Sequence, residues 1–179
     1  RGPVGDVLMT PLQDALRTAM KRLAERPDTI FLGQQIAYPG NAMFETWADV
    51  PRARLIEFPV AEDMQLGVAQ GLALSGYLPI CYYPRIDFLL CAINQLVNHL
   101  DKWQAMTQGA FIPKIIIRTS IGSRAPLDPG PQHSQNPIDA LRLLVPSVAI
   151  IEARTPAHVD CAYRVALERP GSTVIVERL

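Results

Sequence analysis

Lys114-Ile115-Ile116-Ile117-Arg118-Thr119 is the stretch that decides the fold. Three successive isoleucines, stiff and apolar, form the pattern of a strand covered on both faces rather than one alternating between core and solvent. Working outward, Leu78 to Tyr83 and Thr173 to Glu177 read the same way, and shorter apolar strands fall at Asp28 to Gly33, Arg54 to Phe58 and 148–151. Helical patterns lie between them. Thr10-Pro11 supplies a hydroxyl cap and a first-turn proline, after which Leu12, Ala15, Leu16, Ala19, Met20 and Leu23 recur at helical spacing to Glu25. Further helices are expected over Glu62 to Leu74 (stopped by Ser75-Gly76), over 139–144, and from Thr155-Pro156 to Glu168. The apolar spacing of Phe88, Leu89, Ile93, Leu96, Val97, Leu100 and Trp103 predicts one long helix from Ile86 to Met106.

Continuously apolar strands alternating with helices predict a three-layer αβα fold, with a mostly parallel sheet covered on both faces. Residues 34–53 read as irregular, with a turn at Pro39-Gly40-Asn41 and one helical turn around Phe44 to Ala48, and 120–138 is a loop rich in Gly and Pro. Residues 9–179 are expected to form one domain, with no internal repeat. Residues 1–8 lack both an initiator Met and the apolar segment of a signal peptide, and read as a flexible arm, with Met9 as a plausible natural start.

Composition narrows the function. With 17 basic and 17 acidic residues the formal net charge is zero, and no basic stripe suggests nucleic acid. No apolar run approaches the roughly 20 residues of a membrane span. Cys81, Cys91 and Cys161 are odd in number, widely spaced and set in apolar segments, so they read as buried, reduced thiols of a cytoplasmic protein rather than a zinc or redox motif.

In parallel α/β folds ligands bind beyond the carboxyl ends of the strands. That edge carries the loop after Leu32 and the segments 58–62, 83–88 and 120–138. In Phe58-Pro59-Val60-Ala61-Glu62-Asp63, two acids open an apolar helix; the helix dipole alone would account for them, but Glu62 follows a strand end among apolar neighbours. In Gly130-Pro131-Gln132-His133-Ser134-Gln135, the histidine could simply be solvated, yet it shares an edge with Glu62 and suits proton transfer near neutral pH. His99 and His158 read as surface residues. Asn94 and Asn98 share a helix face, as expected of a subunit contact as much as of a site. No phosphate-cradling Gly- or Thr-rich loop follows the first strand, which argues against a flavodoxin-like nucleotide binder, and no Gly-Asp-Gly…Asn metal-diphosphate motif is present.

In order along the chain, Ile30-Phe31-Leu32-Gly33, Pro59-Val60-Ala61-Glu62, Gly76-Tyr77-Leu78-Pro79-Ile80, Phe88, Ala92-Ile93-Asn94-Gln95-Leu96-Val97-Asn98 and Gly130 to Gln135 resemble the amino-terminal, pyrimidine-binding half of the beta subunit of thiamine-diphosphate-dependent 2-oxo acid dehydrogenases, in the transketolase superfamily. The resemblance implies thiamine diphosphate as cofactor. It implies that Glu62 hydrogen-bonds the pyrimidine ring and activates the cofactor, that Phe88 packs on that ring, and that His133 assists proton transfer. It further implies that the diphosphate and Mg²⁺ are held by a separate alpha-type subunit, that the two form a heterotetramer, and that this chain itself holds no metal. Decarboxylation of a 2-oxo acid with acyl transfer is the implied chemistry; transketolase-like ketol transfer, acyloin carboligation and a non-catalytic scaffold are the alternatives. Three features depart from the pattern. Gln34-Gln35 stands where relatives carry acids, Cys91 stands where they carry a polar or bulkier residue, and the chain stops at Leu179, where the usual carboxyl-terminal domain would begin.

Overall fold

In the computed structural model, residues 9–39, 41, 43–122, 124 and 128–178 are described. The flexible arm expected at 1–8 lies outside them. Helix α1 (Pro11–Ala24) starts in a capping box: the Thr10 hydroxyl accepts from the Gln13 N–H at 3.3 Å while the Gln13 side chain accepts from the Thr10 N–H at 2.8 Å. Strands β1 (Thr29–Gly33) and β2 (Leu55–Glu57) follow, with short 3-10 turns at Phe44–Trp47 and Arg52–Arg54 between them. Next come helix α2 (Glu62–Leu74), β3 (Leu78–Tyr83), a helical run over 86–106, β4 (Ile116–Ile121), α5 (Ile138–Leu144), β5 (Ala149–Ala153), α6 (Pro156–Glu168) and β6 (Thr173–Arg178).

All five strand pairings are parallel, and the sheet runs β2-β1-β3-β4-β6-β5. The expected mostly parallel sheet is therefore wholly parallel. The central strands β3 and β4 are buried at every position, as the unbroken apolar run at 115–117 requires. On one face α1 and α6 pack Leu16, Met20, Leu23, Val159 and Tyr163 against Phe31, Ile80, Tyr82 and Ile175. On the other, α2, the 86–106 run and α5 bring Leu66, Ala69, Leu96, Leu100 and Leu141 against Leu32, Cys81, Ile117 and Val174. Each fully covered aliphatic side chain stabilises the fold by about 1.5–3 kcal/mol.

The long helix expected from Ile86 to Met106 is broken. It consists of α3 (Ile86–Leu89), a 3-10 turn (Leu90–Ala92), a π-helical turn (Gln95–Leu100) and α4 (Trp103–Met106). The cause lies at Asp101, whose N–H reaches back five residues to Leu96 at 3.1 Å. Its carboxylate accepts from the Ser147 N–H at 2.8 Å, and its carbonyl accepts from the Ser147 hydroxyl at 2.8 Å, so tertiary bonds replace the regular helical ladder. The cysteine expectation is corrected in part: Cys81 is buried, with burial pushing its thiol up to about 12, but Cys91 and Cys161 are exposed. Both lie on outward faces of helical segments, where an apolar neighbourhood in sequence does not mean burial.

Strand β1 has β2 on one side and β3 on the other, so the connections leaving β1 and β2 run in opposite directions. That reversal opens a crevice beyond the carboxyl ends of β1 and β3.

Candidate active site

The crevice is a cleft of about 580 Å³ whose walls include Gln34, Phe58, Val60, Arg85 and Phe88. Its first wall is the turn after β1. Glu57, at the end of β2, accepts the N–H groups of Gln35, Ile36 and Ala37 at 2.6, 3.1 and 2.8 Å. Three donors on one carboxylate pin the turn, with Gln35 at φ 57. Gln34, just before it, projects its amide to the Glu62 carboxylate, donating to Oε1 at 3.1 Å.

Glu62 is half-buried and opens α2 without a side-chain cap at the preceding residue. Its backbone carbonyl accepts the Tyr83 hydroxyl at 3.0 Å, tying the helix start to the end of β3. Burial pushes the Tyr83 hydroxyl far up, and nearby Cys81 and the Glu62 and Asp63 carboxylates add to this, so it stays a neutral donor. Beneath, the buried Gln65 amide donates to the Tyr82 carbonyl at 2.9 Å and leaves its own Oε1 without a protein partner among the described residues.

The second wall is built from the end of β3 and the 120–138 segment. Phe88 meets His133 edge to face, with ring centroids 5.5 Å apart. Arg85 donates to the His133 carbonyl at 2.9 Å, and Asp87 accepts the Gln135 N–H at 3.2 Å, so two bonds fasten the histidine segment to α3. The Ser134 hydroxyl turns instead to the Gly130 carbonyl at 3.0 Å. The structure thus places Phe88 in contact with His133, and Glu62 at the same crevice through Gln34, with no hydrogen bond between Glu62 and His133 among the described residues. Asn94 and Asn98 are exposed on one face, joined at 2.9 Å.

Gln34, Glu57, Arg85 and Tyr83 carry no sequence motif. Glu57 lies within the strand expected at Arg54 to Phe58, and Arg85 within the segment 83–88. The usable signal was position: each lies within a few residues of a strand's carboxyl end.

The fold agrees with comparison to known proteins. Residues 9–178 match the family model described as the transketolase pyrimidine-binding domain. The beta subunit of the pyruvate dehydrogenase E1 component from Chaetosphaeridium globosum is 27% identical over 179 residues, covering 97% of this chain and 52% of the relative. The mitochondrial beta subunit from Homo sapiens is 31% identical over 132 residues, 72% of this chain and 36% of the relative. The chain therefore spans about half the length, or less, of the curated relatives it matches. Among solved structures, a split-gene transketolase described as an inactive beta4 tetramer superposes with a TM-score of 0.70 at 19% identity, over 92% of this chain and 50% of that one. Transketolase from Leishmania mexicana gives 0.69 at 18% identity, over 92% and 24%. At such identities these two establish the shared fold.

Proposed function

The chain belongs to the family of transketolase pyrimidine-binding domains, and from that premise we propose that it is the cofactor-activating part of a thiamine-diphosphate enzyme. The preferred reaction is decarboxylation of a 2-oxo acid with transfer of the acyl or aldehyde unit, since the sequence relatives are pyruvate dehydrogenase beta subunits. Ketol transfer is the second reading, favoured by the structural likeness to transketolases.

The observation that carries the proposal is the crevice itself: a wall of Phe88, Phe58 and Val60, with Gln34 on the same lining donating to the Glu62 carboxylate behind it. These residues fit a flat heteroaromatic ring with one polar edge. Thiamine diphosphate, when bound, supplies a weakly acidic thiazolium carbon that becomes a nucleophile toward carbonyl groups. The chain's residues do the rest. The Gln34 Nε2–H donates to Glu62 Oε1, so Oε2 would be the oxygen free to share a proton with the pyrimidine ring. Phe88 supplies an apolar face that orients the ring. His133 would exchange a proton with substrate; its bracing by Phe88 and by the Arg85 bond to its carbonyl supports that role.

The carboxylates around the crevice are engaged by N–H donors, Glu57 by three, Asp87 by one and Glu62 by one. This supports the reading that Mg²⁺ and the diphosphate are held by a separate subunit. An exposed apolar strip along α2, formed by Met64, Val68 and Leu74, supports burial against such a partner in a heterotetramer.

The test mixes the chain with its diphosphate-binding partner, thiamine diphosphate and Mg²⁺. Glu62→Gln is expected to lower turnover by about 10²-fold or more, the scale of a lost proton-transfer group. Turnover within a few-fold of wild type would remove Glu62 from the mechanism. Calorimetry showing no cofactor uptake in the mixed complex would make the domain a scaffold.

A further inference from the structure

Arg85 is half-buried, lines the crevice with Phe88, and carries a guanidinium that no carboxylate satisfies. Its Nη1 donates to the His133 carbonyl at 2.9 Å. Among the described residues it makes no ion pair, and its Nε and Nη2 have no hydrogen-bond partner. The contrast with the other site groups is direct, because each nearby acid has N–H donors directed at it.

The guanidinium is also seated. A Cβ built on Gly122 would stand 2.6 Å from Arg85 Nη1 and 3.4 Å from its Cζ, so the chain passes close over the group because residue 122 has no side chain. Bonded at Nη1, beside a glycine that leaves it room, the head group is oriented before any ligand arrives. The Nε–Nη2 edge remains, and this pair of parallel donors matches two oxygens of a carboxylate or a phosphate. A cation ordered beforehand loses less freedom when an anion binds.

We infer that Arg85 forms an anion subsite of the crevice that reads a carboxylate or phosphate group of the substrate away from the reacting carbonyl. The inference rests on the functional reading above and deepens it. Chemistry favours the distal position. Loss of carbon dioxide moves negative charge off the departing carboxylate, so a cation gripping that group would stabilise the ground state more than the transition state. A second anionic group keeps its charge throughout, and pairing it with Arg85 positions the substrate without opposing the reaction. The substrate class is therefore a dicarboxylic 2-oxo acid or a phosphorylated ketose.

The first experiment uses the chain alone, with inorganic phosphate or acetate as probe, read on the Arg85 Nε–H resonance. A saturable shift is expected with at least one anion. Binding should weaken by about 10–100-fold in Arg85→Gln, the scale of a lost charge-assisted hydrogen-bond pair. Arg85→Lys keeps the charge but loses the fork and should fall between, and it carries the test should Arg85→Gln lose the folded state by circular dichroism. Glu62→Gln should bind the probe as wild type does. A response to phosphate alone assigns a phosphate ester, and a response to acetate a carboxylate. No movement with either anion, equal binding by Arg85→Gln, or displacement of the probe by thiamine diphosphate overturns the inference.

The second experiment uses the assembled complex. Wild type should prefer 2-oxoglutarate over pyruvate, or a ketose phosphate over the free ketose, and Arg85→Gln should erase that preference while leaving the cofactor's dissociation constant within about threefold, as expected of a group that does not touch the cofactor. A preference that survives the substitution overturns the subsite. A wild-type complex that turns over none of the four substrates counts against the functional reading, and the anion titration then decides the subsite by itself.

Discussion

Glu177, on β6, is fully buried and meets Arg118 through two hydrogen bonds of 2.7 and 3.2 Å, with the Tyr163 hydroxyl adding a third at 3.1 Å. Glu62, at the start of α2, is half-buried and meets one neutral amide. The same side chain is thus sealed in one region and left incomplete in the other. Arg118 is closed as well: it donates to the Thr46 hydroxyl at 2.9 Å and lies 4.4 Å from the Trp47 ring and 5.2 Å from Tyr82, although the Trp47 Nε1 and the Tyr82 hydroxyl beside it have no partner among the described residues. Burial alone would lower the Arg118 pKa, but the adjacent Glu177 outweighs it and holds the guanidinium charged. Burial likewise drives the Tyr163 hydroxyl well above its ordinary value, keeping it a neutral donor. A carboxylate whose partners are all supplied by the fold has no capacity left for a ligand; one with a single donor and an open side does.

The sharpest way to break this contrast is to open the sealed pair. Arg118→Met should cost about 3–5 kcal/mol in denaturant unfolding, because it leaves Glu177 buried without its cation. The double variant Arg118→Met/Glu177→Leu should recover most of that loss, since an apolar pair of similar volume replaces two desolvated charges. Glu62→Gln should by comparison stay within about 0.5 kcal/mol of wild type. Equal costs for the two glutamates would erase the distinction between them.

The boundary between the regions is Gly33, the last residue of β1. A Cβ there would stand 2.6 Å from the Tyr82 carbonyl oxygen and 2.9 Å from its Cβ. Tyr82 borders the sealed cluster, while the next residue, Gln34, orders Glu62. Gly33→Ala should therefore cost about 1–3 kcal/mol by overpacking, and it should also weaken cofactor uptake by the complex. A variant destabilised in unfolding but unchanged in cofactor affinity would show that the two regions are mechanically separate.

Asp101, at the opposite edge of the sheet, is an intermediate case. Burial pushes its carboxyl up, but donors from Lys102 and Ser147 outweigh this and hold it below the usual carboxylate range. Its folded pKa is thus depressed, so its contribution is present above the unfolded value near 3.9 and is lost as pH falls through the folded value. Comparing wild type with Asp101→Asn, the stability difference should shrink by about 1 kcal/mol as pH is lowered below about 4. A difference that does not change with pH would mean that the carboxylate's charge does not matter there.

The fold was legible in the sequence because burial on both faces leaves a local mark. Runs such as Leu78 to Tyr83 and Ile115 to Ile117 announce central strands, and Thr10-Pro11 and Thr155-Pro156 announce helix starts, with the Thr155 hydroxyl accepting the His158 N–H at 3.2 Å. The broken run at 86–106 was not legible, since its cause is Ser147, some 46 residues beyond Asp101. The site divides the same way. Phe88 and His133 are 45 residues apart; the strand order put their segments on one sheet edge, but only the family resemblance singled them out as a pair, and their ring contact comes from the pairing of β3 with β4. The bond from Gln34 to Glu62 and the close approach of Gly122 to Arg85 follow from tertiary geometry, and no local pattern records them.

The wholly parallel sheet also governs how the chain reaches its native state. No strand pairs with a neighbour through a short hairpin, and β4 must wait for β6, whose Thr173 aligns with Ile116 across 57 residues. Such non-local pairing makes folding slow. During synthesis β2, β1 and β3 can assemble first, while the isoleucine-rich β4 has one unpaired edge until β6 emerges, which makes that edge the place where a nascent chain is most exposed to aggregation.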